Sequence, residues 1–365
     1  MTKPTDQQIP RVAFFSDSLP ERNGTGAYYF DLVHQLKDRI PTIKVFQPKR
    51  SVRINWLSIP MPGDPSQRLI TPDLFRIRKG LHDLKPNIII AVTPGPFGFL
   101  GYLYAKKHKL TFISAFHTDF EQLAKIYWNP LGRFFANLYL RMVNILFCKS
   151  ADYTLIHNSK LIPQILSLGA NKYKIIGTPL PNYYLQKPTE PCPRSVKQIC
   201  YAGRLAAEKN VDTIIQAAKH FKEIQFIIVG EGPLKKRLIQ TAKGMRNLKF
   251  TGWLKRDDLI QIVDQSNCLL LPSKLETFGS VAYEAMARGR PTIVSKNSGI
   301  IEWDCLRKHI LVLNDTASLI ESIESLIDMK EEARDELSKN SRQAALEFNQ
   351  MTLNQWVELL ENCTS

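Results

Sequence analysis

The sequence contains no closely spaced pair of cysteines, since its six cysteines lie far apart between Cys148 and Cys363. We therefore expect neither a zinc site nor the dense disulfide framework of a small secreted domain. Long apolar runs are also missing, because the longest, residues 88–105, contains two prolines and several glycines. This pattern predicts a strand, a turn and a helix instead of a membrane span. The first residues, MTKPTDQQIP, lack the apolar core of a signal peptide, so we expect a cytoplasmic location.

Acidic residues are scarce in the first half of the chain. Residues 1–190 contain 25 Lys and Arg against 12 Asp and Glu, a net charge of +13, whereas residues 191–365 carry +2. The total charge of +15 favours an anionic partner, and its uneven placement indicates two parts with different roles. With 365 residues, of which 44% are hydrophobic, the chain suits two packed domains and excludes wholesale disorder.

Short β-branched runs alternate with amphipathic stretches through most of the sequence. Runs such as IIIAV, at residues 88–92, show no polar alternation, which is typical of parallel strands covered on both faces. Strands alternating with helices predict right-handed βαβ units and a doubly wound α/β fold. The predicted strands are Val12–Phe15, Ile43–Phe46, Ile88–Val92, Thr111–Ala115, Tyr153–Ile156, Lys174–Ile176, Gln198–Tyr201, Gln225–Val229, Leu248–Phe250, Cys268–Leu271, Pro291–Val294 and Ile310–Leu313.

Five prolines between residues 178 and 196 break this pattern and predict a linker. Two Rossmann-like domains joined there would face each other across a central cleft at the carboxyl ends of their strands, where ligands bind in such folds. The expected organisation is an N-terminal domain over 1–180, a linker over 181–197, a C-terminal domain over 198–345, and a helix over 346–365 that packs back toward the N-terminal domain.

Two motifs place glycines and cations in loops between a strand and a helix. SDSLPERNGTG follows the first strand, and its Gly24 would let the backbone and a helix N-terminus approach a phosphate. GRLAAEKN begins at Gly203 and puts Arg204 and Lys209 on one loop, where both can converge on a diphosphate. The alternatives are an ordinary turn for the first motif and a solvated charged loop for the second.

The most specific motif is ETFGSVAYEAMARGRPTIVS, residues 276–295. Phe278, Gly279 and Ser280 mark the start of a helix, whose dipole favours a phosphate. Two carboxylates eight residues apart, Glu276 and Glu284, bracket this helix start. They suit hydrogen bonds to hydroxyls at the two ends of an elongated ligand.

A histidine and an aspartate follow the strand predicted at residues 111–115. His117 and Asp119, in AFHTDF, lie at the carboxyl end of that strand, which is the side of the expected cleft. A lone histidine is more often a structural residue, but its position at a strand end favours a functional role.

These motifs, together with VGEGP at residues 229–233, resemble the retaining glycosyltransferases of family 4, which have the GT-B fold. The family's pattern of two acids separated by seven residues is matched by Glu276 and Glu284. NGTG and AFHTDF further resemble the branch that includes phosphatidylinositol mannosyltransferases and glycosyl-diacylglycerol synthases. The resemblance implies an acceptor-binding N-terminal domain and a nucleotide-sugar-binding C-terminal domain.

The resemblance also implies a role for each motif residue. Arg204 and Lys209 bind the diphosphate, Glu276 contacts the transferred sugar and Glu284 accepts hydrogen bonds from the ribose. The other residues implied to lie near the donor sugar, its phosphates or its base are His117, Gly24, Gly203, Glu231, Phe278, Gly279, Ser280, Gly252, Trp253 and Leu254.

The implied reaction moves a hexose from a UDP-glucose-type or GDP-mannose donor to a hydroxyl of a membrane-lipid or lipid-linked acceptor, with retention of configuration. Cations and a helix N-terminus can stabilise the departing diphosphate. The sequence has no obvious Asp-x-Asp pair in a suitable loop, so we expect no metal and no cofactor beyond the nucleotide-sugar co-substrate.

The basic half also contains an aromatic-rich stretch, residues 125–149, that is predicted to be helical after its proline. Such a segment could lie on an anionic bilayer as a peripheral anchor, with tyrosine and tryptophan at the headgroup level. The alternative is a core helix with ordinary surface cations. The candidate acceptor and membrane residues are Asp119, Tyr127, Trp128, Arg133 and Arg141.

Three other functions stay open at this point. The acceptor could be a soluble glycan or small molecule, or the enzyme could be a sugar-nucleotide 2-epimerase on the same two-domain fold. An epimerase would need a carboxylate-rich site in an N-terminal half that has few acids. A nucleic-acid-binding protein would explain the charge, but basic residues interleaved with stacking aromatics along a groove do not appear.

Overall fold

Two separate six-stranded sheets organise the chain. The computed structural model describes residues 9–19, 24–48, 58–61, 64–116, 130–187, 189–313 and 319–364. The chain divides into a first unit, Met1–Pro181 with Gln350–Ser365, and a second unit, Asn182–Asn349.

The first unit has a parallel sheet and an antiparallel hairpin. Its strands are β1 Val12–Phe15, β2 Ile43–Phe46, β3 Ser58–Met61, β4 Asp64–Ile70, β5 Ile88–Ala91, β6 Thr111–Ala115, β7 Tyr153–Ile156 and β8 Tyr173–Ile175. The parallel sheet has the order β2-β1-β5-β6-β7-β8, and β3 pairs with β4 in the hairpin. The helices are α1 Gly24–Leu36, α2 Leu74–Leu84, α3 Pro96–His108, α4 Pro130–Ser150 and α5 Ile162–Ser167.

Alternate side chains of the central strands pack on opposite faces of this sheet. Val12 and Phe14 of β1 belong to a buried cluster that includes Trp356, whereas Ala13 and Phe15 belong to a second cluster. Because successive strand residues point to opposite faces, both faces must be covered for all four to be buried. The predicted doubly wound α/β arrangement is confirmed.

A half-buried aspartate fixes the start of α3. Asp17 follows β1, and its carboxylate accepts hydrogen bonds from the Phe97 amide at 2.8 Å and the Thr93 hydroxyl at 2.6 Å. Burial raises the pKa of Asp17 although these hydrogen bonds oppose the shift. The sequence predicts a helix only from residue 99, but this cap and Pro96 in the first turn start it earlier.

A polar network in the first unit connects β7 with the C-terminal residues. His157 is buried, and its Nδ1 lies 2.8 Å from the Ile176 carbonyl oxygen. The ring of Tyr28 meets His157 edge-on, and the Tyr28 hydroxyl accepts a hydrogen bond from the Trp356 indole at 3.1 Å. Burial lowers the pKa of His157 to about 4, so the imidazole is neutral in the folded protein at neutral pH.

We expect acid to destabilise the protein through His157. The unfolded chain binds this proton near pH 6.5, whereas the folded chain binds it only near pH 4, so stability is lost as the pH falls between these values. Between pH 7.5 and 5 the loss from this group should be about 2 kcal/mol. Urea unfolding of the wild type and His157→Gln checks this, and equal pH dependence in both proteins would contradict it.

The second unit contains the other parallel sheet. Its strands are β9 Gln198–Ala202, β10 Gln225–Val229, β11 Leu248–Gly252, β12 Cys268–Leu271, β13 Thr292–Ser295 and β14 Leu311–Leu313, in the order β11-β10-β9-β12-β13-β14. The helices from here on are α6 Asn182–Gln186, α7 Asp212–His220, α8 Lys235–Thr241, α9 Arg256–Gln265, α10 Ser280–Ala287, α11 Asp304–Arg307, α12 Leu319–Asp328 and α13 Glu331–Asn362. The last turns of α13 belong to the first unit.

Two buried arginines fasten the start of the second unit to its core. Arg288 and Arg290 are each 1% exposed, and Arg288 binds both carboxylate oxygens of Asp264 at 2.8 and 2.6 Å. Arg288 also donates to the Lys187 carbonyl, and Arg290 donates to the carbonyl of Glu190. The segment that follows α6 is therefore held against α9 and the end of α10.

Candidate functional site

Backbone hydrogen bonds join the loops that follow three neighbouring strands of the second unit. The Gly203 amide donates to the Val229 carbonyl at 3.0 Å, and the Leu205 amide donates to the Glu231 carbonyl at 2.8 Å. A further bond connects Gly230 with the Gly252 carbonyl at 2.9 Å. Because parallel strands end at the same edge of a sheet, motifs far apart in sequence meet here.

The glycine of VGEGP allows this close contact. A Cβ atom added to Gly230 would lie 1.8 Å from the carbonyl oxygen of Gly203. No side chain can be accommodated at that distance, so the glycine sets how closely the loop after β10 packs on the loop after β9.

Lys209 and Glu276 form the central ion pair of the site. The Lys209 Nζ lies 2.5 Å from Glu276 Oε2, and both side chains are 18% exposed. The Lys274 amide also donates to the Glu208 carbonyl at 2.7 Å, which joins the loops after β9 and β12. The structure thus brings together a cation and a carboxylate that the sequence analysis selected from separate motifs.

The start of α10 lies beside this ion pair. Gly279 precedes the helix with a φ of 105°, a left-handed conformation that favours glycine, and a Cβ there would lie 3.6 Å from the Glu276 Cγ. The first turn of α10 contains no acidic residue, so its partial positive charge is not offset within the turn. An anion placed here would meet both the amides of the helix start and the Lys209 ammonium.

Phe278 and Ser280 contribute differently at this helix start. The Phe278 side chain is buried and packs on Phe348 and Tyr283 with ring centroids 5.9 and 5.8 Å apart. Its carbonyl accepts from the Ile300 amide at 2.7 Å. Phe278 therefore anchors the loop through its ring, whereas Ser280 is the first residue of the helix and is partly exposed.

Arg204 lies in a turn that a tyrosine fixes. The Tyr201 hydroxyl donates to the Arg204 carbonyl at 2.8 Å, and a Cβ on Gly203 would lie at the same distance from that hydroxyl. Arg204 is half-buried. The sequence analysis did not select Tyr201, because a tyrosine near the end of a strand has many ordinary uses.

The predicted base-binding loop lies beside Glu231. The Glu231 carboxylate pairs with Lys235 Nζ at 2.5 Å, and a Cβ on Gly252 would lie 2.9 Å from the same carboxylate oxygen. Trp253 is exposed, and Leu254 is partly exposed. Lys235 was not selected from the sequence; it is the first residue of α8, and its pairing with Glu231 depends on the turn through Gly232 and Pro233.

Glu284 lies inside α10 and is partly exposed. Its carboxylate forms a hydrogen bond with the side chain of Tyr184, which lies in α6. Tyr184 falls in the segment predicted as a linker, so the sequence analysis did not associate it with the site.

Within the described ranges, no group of three or more His, Cys, Asp or Glu side chains could hold a metal ion. The second unit thus offers an anionic ligand the Lys209 ammonium, which is paired with Glu276, and the start of α10.

Solved structures share the fold. The chain aligns with sucrose-phosphate synthase from Thermosynechococcus elongatus at a TM-score of 0.75 and 18% identity, covering 96% of this chain and 98% of that one. It aligns with WaaG, a glycosyltransferase involved in lipopolysaccharide biosynthesis, at a TM-score of 0.67 and 13% identity, covering 96% and 99%. These likenesses confirm the GT-B fold.

Family models match both halves of the chain. The model described as Glycosyltransferase Family 4 matches residues 22–176, and the model described as Glycosyl transferases group 1 matches residues 186–344. The chain belongs to the family-4-like GT-B glycosyltransferases. The resemblance drawn from the sequence motifs is confirmed.

Among three curated relatives of this glycosyltransferase, two have names that mention a lipid. The sulfoquinovosyl transferase SQD2 of Arabidopsis thaliana is 25% identical over 252 residues, 62% of this chain and 46% of the relative. A GDP-mannose-dependent phosphatidylinositol dimannoside mannosyltransferase of Mycobacterium tuberculosis is 34% identical over 109 residues, 28% of each chain. The alpha-monoglucosyldiacylglycerol synthase of Acholeplasma laidlawii is 25% identical over 279 residues, 70% of each. The chain thus spans less than half the length of the first two relatives.

Only some of the site residues predicted in the first unit lie in the part of the chain that the structure describes. Gly24 begins α1, and Arg141 is exposed on α4. Arg133 lies in α4, but its side chain is outside the described part. Four predicted residues lie outside the described residues altogether: His117, Asp119, Tyr127 and Trp128. None of the helices described for this glycosyltransferase has the length and apolar character needed to cross a bilayer.

Proposed function

We propose that the protein transfers a hexose from a nucleotide-diphosphate sugar to a hydroxyl of a membrane lipid or lipid-linked acceptor, with retention of configuration and without a metal. The observation that carries this proposal is the ion pair of Lys209 and Glu276 beside the start of α10, in a chain of this family. It offers a cation and helix amides for a diphosphate and a carboxylate for sugar hydroxyls.

The leaving group determines what the cations do. When the bond between the sugar carbon and the phosphate oxygen breaks, its electron pair leaves with the diphosphate, whose negative charge increases. Lys209, Arg204 and the N–H groups at the start of α10 would stabilise this charge. Because Glu276 holds the Lys209 ammonium beside the helix start, little reorganisation is needed as the charge develops.

The sugar and acceptor complete the reaction. In the proposed step the acceptor hydroxyl attacks the sugar carbon from the face that the diphosphate leaves, and its proton passes to the departing phosphate oxygen. The new glycosidic bond forms on the face from which the phosphate leaves, so the configuration at the sugar carbon is retained. Glu276 accepts hydrogen bonds from the sugar, Glu284 binds the ribose, and His117 stays a predicted contact of the reacting sugar.

The lipid acceptor is supported by the names of the relatives and by the surface of the first unit. Two of the relatives are named for acting on a phosphatidylinositol dimannoside and for making a glucosyldiacylglycerol. On α4, Phe134, Leu138 and Met142 are exposed at a spacing of four residues, which places them on one helix face. Exposed apolar residues with nearby Arg141 suit the surface of an anionic bilayer.

Vesicle co-sedimentation tests this membrane proposal. The protein should pellet with vesicles containing anionic phospholipid at low salt, and the Leu138→Glu/Met142→Glu variant should pellet several-fold less because it places two acids on the apolar face. Leu166→Glu adds an acid at another exposed leucine of the same unit and should sediment like the wild type. Failure of the wild type to bind anionic vesicles would remove the membrane proposal.

The donor and the reaction are tested together. UDP and GDP are screened by thermal shift, and the one that stabilises the protein identifies the donor class, since a ligand bound only to the folded state raises its stability. Transfer from the matching nucleotide sugar to diacylglycerol or phosphatidylinositol acceptors is then measured with and without EDTA. We expect an α-linked product from an α-linked donor and no loss with EDTA. The proposal would be overturned if no nucleotide stabilised the protein and no combination of donor and acceptor gave transfer.

A further inference from the structure

A buried tyrosine contacts the carboxylate proposed to bind the ribose. Tyr184 is 1% exposed in α6, and its side chain hydrogen-bonds Glu284, one hundred residues later in α10. Burial, the charge of Glu284 and this hydrogen bond raise the pKa of Tyr184 well above its ordinary value. The hydroxyl therefore stays protonated and donates to the carboxylate.

The position of Tyr184 is fixed from several directions. The ring of Tyr183 stacks on that of Tyr184 with centroids 5.8 Å apart, and the Arg256 guanidinium lies 4.9 Å from the centre of the Tyr183 ring. Lys187, just after α6, forms an ion pair with Asp257, and its carbonyl accepts the hydrogen bond from buried Arg288. The short helix α6 is thus held by the start of α9 and the end of α10, so the hydroxyl of Tyr184 has little freedom to move.

We propose that Tyr184 is a positioning residue for Glu284. The Tyr184 hydroxyl holds one oxygen of the Glu284 carboxylate and leaves the other oxygen directed to the vicinal hydroxyls of the donor ribose. This inference rests on the proposed function, in which Glu284 is the ribose-binding carboxylate. A glutamate side chain has several rotatable bonds, and fixing one oxygen before the ligand arrives reduces the ordering that binding requires. The gain should appear only with ligands that carry ribose hydroxyls.

Isothermal titration with the nucleoside diphosphate that binds, UDP or GDP, and its 2′,3′-dideoxy analogue separates this role from a structural one. Tyr184→Phe should weaken binding of the ribonucleotide about 5- to 10-fold, in the range of one lost hydrogen bond of ordinary strength, and leave the dideoxy analogue unchanged. Donor KM should rise by a similar factor with kcat nearly unchanged. Equal weakening of both nucleotides would indicate a structural role and overturn the inference.

Two variants keep the result interpretable. Tyr183→Phe removes the neighbouring hydroxyl but keeps the ring beneath Arg256, and it should leave the preference for the ribonucleotide intact. Glu284→Gln changes the carboxylate that is proposed to bind the ribose, so it should reduce the preference for the ribonucleotide over the dideoxy analogue. If Glu284→Gln reduces it and Tyr184→Phe does not, the positioning role is wrong and the proposed function stands. If Glu284→Gln leaves the preference unchanged, the ribose role of Glu284 fails and the positioning role fails with it.

Discussion

Replacing Lys209 with Met should lower kcat for sugar transfer by about 10²–10³-fold, the range seen when one preorganised donor to a developing anion is removed. Met keeps the length of the aliphatic stem but removes the ammonium that pairs with Glu276 at 2.5 Å. Because negative charge on the diphosphate grows as the sugar leaves, the loss should be greater in kcat than in nucleotide affinity. Steady-state kinetics with the donor identified by thermal shift, together with nucleotide titration, measures both.

Lys274→Met is the matched control for this variant. Lys274 is exposed on the loop after β12, and its backbone amide makes the contact with the neighbouring loop. Removing its charge should leave kcat within about twofold, as expected for an exposed side chain away from the reacting groups. Equal losses in the Lys209 and Lys274 variants would mean that general positive charge, and not a placed ammonium, supports the reaction.

Replacing Asp264 with Ala should lower the free energy of unfolding by about 3–5 kcal/mol, because it leaves two buried guanidinium groups without their carboxylate. Arg288 and Arg290 are both 1% exposed, and Arg288 binds Asp264 through two hydrogen bonds. Burying an uncompensated charge is among the most destabilising single changes. Urea unfolding followed by circular dichroism gives the free energy, and the transition should shift to much lower urea.

Asp212→Ala is the comparison for this change. Asp212 pairs with Arg237 at 2.6 Å, and their side chains are 40% and 52% exposed. An exposed pair of this kind contributes up to about 1 kcal/mol, so the Asp212 variant should unfold close to the wild type. A small effect of Asp264→Ala, similar to that of Asp212→Ala, would show that water reaches the two arginines when the carboxylate is removed.

The sequence predicts the central strands closely because runs of consecutive apolar residues indicate buried strands. Six predicted strands begin and end exactly as observed: Val12–Phe15, Ile43–Phe46, Thr111–Ala115, Tyr153–Ile156, Gln225–Val229 and Cys268–Leu271. The hairpin of β3 and β4 was not predicted, since prolines such as Pro60 are rare in paired strands. Helix α6 was also missed, because it lies among the prolines that predicted a linker and is held by arginines about one hundred residues away.

The candidate site also contains residues that could be predicted from the sequence and residues that could not. Lys209 and Glu276 could be selected because each belongs to a motif with a recognisable spacing, and parallel strands bring the two loops to one edge. Tyr201 and Tyr184 could not, because a tyrosine in a strand or in a proline-rich segment has many ordinary uses. Their roles depend on contacts with the Arg204 carbonyl and the Glu284 carboxylate, and only the folded chain specifies those contacts.

The last helix has a consequence for biosynthesis. Leu353, Trp356, Leu359 and Leu360 pack into the same buried cluster as Val12 and Phe14. A fragment that ends at residue 181 would lack the side chains that complete this cluster, and on the ribosome the cluster can close only after residues 353–360 are translated. The first unit is therefore completed after the second, and removing residues 350–364 would destabilise the first unit.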